Sequence, residues 1–392
     1  MFNAGSKEMW QIPVCLKAGG AEKCELLSTK SQTVELPGCG PIYANAGARG
    51  YYRSGYDAEN LRKLAQTAEQ SLSPLERTLL IQDAWSQMRV DKIKIGDFLA
   101  LADALKNDPT RAVMDNLAGD LVKIETDVVG DNHRGQYHHW VREMFVPVGE
   151  KLGWTPAAND SEEQRALRAD LLRLVGGVGH DPKLIQFSRE LVQKVLSGHN
   201  VDSTLLGEAM VIAARNGDAA LYEEFMKRVQ NPKSPEDYLR FFKTLGYFQQ
   251  PELIQRTLQY AVSPQVRTQD ALFVFGSLMS DPSGRKPAWD FIRQHWTEVK
   301  AKMPEADIGF FVEGARSFCD NESRDQVQQF FTEHPIPAAQ RALQRTLETI
   351  SNCVDTRTQQ QASLAAWLEK QPTGAKGKEQ QSVVPGAAAG SR

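Results

Sequence analysis

Two periodicities divide the chain. Near the start apolar residues alternate: Trp10, Ile12, Val14 and Leu16 occupy every second position. Further short β-prone pieces follow at Cys24 to Leu27, Thr33 to Leu36 and Ile42 to Asn45, separated by glycine and proline. Side chains two apart share one face of a strand, so this stretch, residues 1–56, predicts strands with one buried face. From about Asp57 the spacing becomes helical. Val113, Leu117, Leu121, Ile124 and Val128 fall on one face, as do Val141, Phe145, Val148 and Leu152, and as do Trp289, Ile292, Trp296, Val299 and Met303. Steps of three and four residues put each set on a single helix stripe that must be buried against a neighbour.

The helical stretch carries its own punctuation. Ser73-Pro74, Asp181-Pro182, Ser234-Pro235 and Ser263-Pro264 predict helix starts. The Ser or Asp side chain accepts from free backbone N–H groups, while proline at the first helical position loses no hydrogen bond. Glu76 follows Ser73, and Gln164 follows Ser161, at capping-box spacing. Gly176-Gly177, Gly198 and Asn216-Gly217 predict helix ends, where a left-handed residue satisfies the last carbonyls.

Many amphipathic helices joined by short turns predict a mostly α fold, a HEAT-like superhelix of helical hairpins over 57–370. The repeat is irregular, without a fixed unit. The preceding segment, 1–56, reads as a short and incomplete β-sandwich, because its strand edges call for a partner upstream. Residues 371–392, rich in Gly, Ala, Lys, Gln and Ser, lack the apolar surface to offset ordering entropy and read as a disordered tail.

Composition narrows the partners. With 41% hydrophobic and 24% charged residues the chain is an ordinary folded, water-soluble protein. The net charge of −3 with dispersed Lys and Arg gives no electrostatic footprint for nucleic acid. No apolar run reaches the roughly 18 residues that span a bilayer, and Met1 to Gln11 lack a secretory apolar segment, which leaves the cytoplasm as the default compartment. A signal lying upstream of Met1 would escape this reading. The five cysteines, Cys15, Cys24, Cys39, Cys319 and Cys353, include no Cys-x-x-Cys pair and read as reduced and mostly buried.

Catalytic patterns are missing from the sequence. No His is followed by Glu, so the His-Glu-x-x-His zinc motif is absent, as are a Gly-x-Ser-x-Gly elbow and a phosphate-binding glycine loop. The nearest metal-like cluster is His133, His138, His139 and Glu143, with His139 and Glu143 one helical turn apart. No third ligand stands at motif spacing, so it reads as a packing or solvated group. Gly176, Gly177 and Gly179 end a helical stripe rather than follow a strand and read as a helix stop. Trp85, Trp140, Trp289, Trp296 and Trp367 read as core. No catalytic, metal or cofactor residue is assigned.

Several blocks resemble the C-terminal half of zinc metalloaminopeptidases of the aminopeptidase N and puromycin-sensitive type. Trp10-Gln11-Ile12-Pro13 resembles the family's Trp-x-Ile-Pro strand. Asn45 followed by Gly50-Tyr51-Tyr52-Arg53-Ser54-Gly55-Tyr56-Asp57 resembles its Asn…Gly-Tyr-Tyr-Arg-x-x-Tyr-Asp segment. Glu76 to Trp85 resembles the helix that opens the helical domain, and Ala288 to Arg293, Thr346 to Ile350 and Trp367-Leu368 resemble its closing helices. The resemblance implies a non-catalytic region that caps the active site and encloses peptide substrates. It also implies a zinc-bearing catalytic domain of the same enzyme as partner, with zinc held there and not by this chain. The peptide-contacting residues are not marked by motif. The alternative is a stand-alone helical-repeat scaffold that binds peptides or proteins without hydrolysis.

Overall fold

The computed structural model describes residues 10–303 and 307–371. The chain opens with a hairpin of β1 (Ile12–Ala18) and β2 (Ala21–Leu27), antiparallel, with Ala18 opposite Ala21. Gly19 and Gly20 form the turn with φ of 53° and 82°, the left-handed pair that matches strand twist. β3 (Tyr43–Ala44) pairs with the other edge of β1, giving the order β2-β1-β3. The predicted piece Thr33 to Leu36 makes no ladder. It runs extended with Val34 and Leu36 half-buried, and Pro37 follows it without an N–H to donate.

Helices account for most of the rest. They are α1 (Ala58–Ser71), α2 (Pro74–Arg89), α3 (Ile95–Ala104), α4 (Arg111–Asp127), α5 (Asp131–Leu152), α6 (Glu162–Leu172), α7 (Pro182–Leu196), α8 (Ser203–Arg215) and α9 (Ala219–Gln230). After them come α10 (Pro235–Thr244), α11 (Pro251–Val262), α12 (Thr268–Ser280), α13 (Pro282–Gln294), α14 (Trp296–Lys302), α15 (Gly309–Gly314), α16 (Asn321–Glu333) and α17 (Gln340–Leu368). A mostly α chain behind a small sheet is what the two periodicities predict.

Alternate helices stack. α2, α4, α6, α8, α10 and α12 pack in series, then α15 packs on α12 and α17 on α15, while α7–α8, α9–α10 and α12–α13 pack as chain neighbours. The 29-residue α17 also packs against α2, α3 and α5, so the last helix returns to the first ones. Val113, Leu117, Leu121, Ile124 and Val128 are all buried in this stack, as the stripe requires.

Gln360 on α17 fastens this return. Wholly buried, its amide nitrogen donates to the Met88 and Ile93 carbonyls at 2.8 and 3.2 Å, and its oxygen accepts from the Ile95 amide at 3.0 Å. These groups span the last turn of α2, the connection and the first residue of α3; the Met88 carbonyl also accepts from the Asp91 amide at 3.1 Å. Gln360→Ala leaves the Ile93 carbonyl and the Ile95 amide without a partner in this buried place, and is expected to lower the unfolding free energy by about 2–3 kcal/mol. Urea denaturation checks this; a change under about 0.5 kcal/mol would show that water replaces the amide.

Local caps follow the sequence at three of the four Ser/Asp-Pro sites. Ser73 and Glu76 close a capping box on α2, Asp181 caps α7 and Ser234 caps α10; Ser161 and Gln164 close a second box on α6. Ser263-Pro264 instead ends α11 in a turn in which the Val266 amide bonds the Ser263 carbonyl, and α12 starts four residues later. The stripe from Trp289 to Met303 is buried throughout but broken at His295, where α13 ends and α14 begins. Gly176-Gly177 does not stop its helix: both lie in a π-helical turn, Arg173–Val178, that continues α6. A Cβ on Gly176 would meet Ile212 Cδ1 at 2.9 Å, so close packing on α8 explains the glycine.

The cysteines also depart from expectation. Cys15 and Cys24 stand opposite each other in the hairpin and form a disulfide, and Cys319 and Cys353 join the start of α16 to α17 by a second; Cys39 is free and exposed. Both bridges join residues that tertiary structure brings together, at separations of 9 and 34, outside any Cys-x-x-Cys pattern. The expected tail falls outside the described residues from 372 onward.

Candidate functional site

The stacked layer surrounds two adjoining cavities of about 660 and 600 Å³, which share Val122, Thr126 and Ser280 as walls. The larger takes side chains from α4, α5, α8 and the start of α13, including Arg134, Arg173, Glu208, Arg215 and Tyr247. The smaller is walled by α2, α4, α13 and α17 and holds Arg89, Lys123, Arg285 and Arg316 against one acid, Asp127. A larger cavity, about 770 Å³, lies between α7 and α9 and shares no residue with these two. Its rim of Arg189, Glu190, Lys194 and Glu224 mixes both signs on the outer helices, so it offers no single electrostatic preference.

Positive charge dominates the smaller cavity for a physical reason. Among the described residues Arg89, Arg285 and Arg316 form no ion pair, whereas Arg215 is held by Asp281 at 2.8 Å and Arg173 by Asp170 at 2.9 Å. Burial pushes the carboxyls of Asp127 and Glu208 above their ordinary range, and those of Asp120 and Asp170 up to about 6, in spite of nearby Arg and Lys. Burial also lowers the Arg285 guanidinium, which lies near the like charge of Arg357, yet an arginine stays charged across the physiological range. The Asp127 backbone carbonyl, at the end of α4, accepts from Arg357 Nε at 2.5 Å, a cation at a helix C-terminus.

Asp120 turns this electrostatic strain into a pH effect. Its folded pKa of about 6 lies above the unfolded value near 3.8, so below pH 3.8 both states hold the proton and there is no penalty. Between pH 3.8 and 6 the unfolded state has lost the proton that the folded state keeps, so stability falls as pH rises, and above 6 the penalty stays constant. Asp120→Asn removes this penalty and is expected to gain roughly 1.5 kcal/mol at pH 5 and about 3 kcal/mol at pH 8. Urea denaturation of both proteins at the two pH values tests it; an equal gain at both would mean Asp120 does not titrate between them.

Two members of the histidine cluster read from sequence turn to different partners. His133 faces Glu369 at 3.8 Å, whereas His138 turns to Glu125, with Nε2 3.3 Å from Oε1, and stacks on His180 with ring centroids 4.5 Å apart. Glu125 and His180 line the larger cavity. Spacing along the chain marks neither of them, since Glu125 ends α4 and His180 follows the π-helical turn. Burial lifts the Glu125 carboxyl, but the His138 bond and Arg134, 2.9 Å away, bring it below its usual range. Although His180 is exposed, the stacked His138 ring and its surroundings remove water from part of the imidazole, and this desolvation, with the His138 charge, lowers His180. Trp140, Trp289 and Trp296 are buried and Trp85 and Trp367 half-buried, so the aromatics are core, as expected.

A helical stack around a hollow, with the sheet at one end, defines a domain that walls a cavity. The model of the ERAP1-like C-terminal domain matches residues 41–352. The chain belongs to that family, and is thus a non-catalytic region of an aminopeptidase. It is 22% identical to Aminopeptidase 2 of Candida albicans over 93% of this chain and 40% of that protein. To Aminopeptidase M1 of Arabidopsis thaliana it is 25% identical, over 87% and 42%, and to the alanine/arginine aminopeptidase of Saccharomyces cerevisiae 23%, over 92% and 43%. The chain thus spans about two fifths of the length of these relatives. Among the described residues no helix is long and apolar enough to cross a membrane.

Proposed function

We propose that this chain is the substrate-enclosing part of a peptide-trimming enzyme: a HEAT-like helical bowl, 57–370, that docks through its β segment, 1–56, on a zinc-bearing catalytic domain. The observation that carries the enclosing role is the hollow with Arg89, Lys123, Arg285 and Arg316 on its wall. Guanidinium and ammonium groups of this kind pair with the free carboxylate at the C-terminus of a peptide. Removal of N-terminal residues would then take place at the catalytic domain, facing the peptide's other end.

Docking has support of its own. Of seven large apolar side chains exposed among the described residues, Trp10, Leu26, Ile42, Tyr51 and Leu75 lie within the first 75 positions. Exposed apolar side chains concentrated in one segment suit a segment that another body covers. Hydrolysis itself falls to the catalytic domain, since this chain has no His-Glu-x-x-His set to hold the family's zinc.

The test is binding of a fluorescent nonapeptide to the purified chain. A free C-terminal carboxylate is expected to bind about tenfold more tightly than the amide, a preference that Arg285→Gln with Arg316→Gln abolishes. Equal affinity for acid and amide would refute the reading.

A further inference from the structure

Among the described residues two groups at the hollow could offer a metal ligand set; in one, Asp127 with Cys319 and Cys353, the thiols are tied up in a disulfide, and the other is Glu125, His138 and His180, whose chemistry peptide enclosure does not use. Two imidazoles and one carboxylate each offer a ligand atom, and the three atoms lie within 4.8 Å of one another. The 3.3 Å between His138 Nε2 and Glu125 Oε1 is also the edge expected between two ligands about 2.0–2.1 Å from a tetrahedral ion. Three separate elements supply the group. Glu125 comes from the last turn of α4 and His138 from the second turn of α5. His180 stands at φ 49° between the π-helical turn and α7. A side chain with a Cβ rarely takes that conformation, and it is held by the Arg142 guanidinium, which donates to the Gly179 carbonyl.

We propose that Glu125, His138 and His180 bind a divalent ion of the zinc class, with an open coordination position toward the larger cavity. Two neutral imidazoles with one carboxylate suit Zn2+ and its neighbours and suit Ca2+ and Mg2+ poorly. Glu125 and His138 are the fixed members, at 15% and 14% side-chain exposure, and the exposed His180 ring closes on the ion by a side-chain rotation. Arg134 can keep its bond to the carboxylate while the ion takes a remaining lone pair, which makes it an outer partner that orients Glu125. With only three protein ligands, the fourth position is left to water or to a polar group of whatever enters the hollow.

This inference rests on the cluster alone and does not depend on peptide binding. The experiment titrates the apo 392-residue chain with Zn2+ by calorimetry and with Co2+ by visible absorption, the metal alone being the probe. One equivalent with a micromolar or tighter Kd is expected, with Co2+ giving the bands of a low-coordinate ion. His180→Ala, an exposed change that leaves the fold intact, is expected to weaken binding at least about tenfold, as is Glu125→Gln; His199→Ala, remote from the cluster, leaves it unchanged. Absence of saturable uptake, or equal uptake by the wild type and His180→Ala, overturns the assignment.

Discussion

Replacing Arg77 with methionine is expected to lower the unfolding free energy by about 3–5 kcal/mol, a large fraction of what holds any domain together. Arg77 on α2 is buried, and it bonds Asp108 through Nε and Nη2, the Leu72 carbonyl at 2.6 Å and Thr110 Oγ1 at 3.2 Å. Asp108 is buried in turn and, among the described residues, otherwise accepts only from the Thr110 amide at 2.8 Å. Removing the guanidinium therefore strands a carboxylate out of water, and the cost is that of the abandoned partner, not the worth of the pair. Asp108→Leu alone strands the arginine in the same way. The double replacement by apolar residues removes both charges, so it should cost much less than the sum of the singles. Urea denaturation of the four proteins closes the cycle; strictly additive losses would show that water reaches the pair.

How much of the structure is legible in the sequence depends on the range of each interaction. The caps at Ser73, Asp181 and Ser234 involve groups three residues apart, so their signals survive in the sequence. Arg77 stands out in the block from Glu76 to Trp85, yet nothing marks Asp108, whose role depends on the turn before α4 lying beside α2. The return of α17 is invisible for the same reason, since Gln360 meets residues more than 260 positions earlier. Gly19-Gly20 between two alternating runs is a hairpin signal that could have placed Cys15 opposite Cys24; no such local signal exists for Cys319 and Cys353. In the candidate site the hollow gathers side chains from seven helices, and Glu125, His138 and His180 come from three unconnected segments. Motif spacing keyed to chain neighbours finds His138 but neither Glu125 nor His180, which only the fold brings to it.

Trp289 carries the second large expectation. On α13 it is buried against Phe318, Phe330 and Phe331, with centroids 6.3, 5.4 and 5.9 Å away, and so binds α13 to α16. Trp289→Ala is expected to lower the unfolding free energy by about 3–5 kcal/mol, through lost transfer energy and a cavity that the three phenylalanine rings cannot fill. Trp289→Phe is expected to cost under about 1.5 kcal/mol. The reason is the indole N–H, which has no hydrogen-bond partner among the described residues, so phenylalanine loses volume but also deletes a donor already unsatisfied in the native core. Urea unfolding separates the two variants, and equal losses would mean the N–H is paired after all. The same experiment reaches the hollow, because α13 begins at Pro282 and carries Arg285 on its first turn, braced on the Met279 carbonyl at 3.2 Å. If Trp289 is what fixes α13, Trp289→Ala loosens Arg285 and weakens capture of a peptide carboxylate at temperatures where the chain is still folded, while Trp289→Phe keeps it.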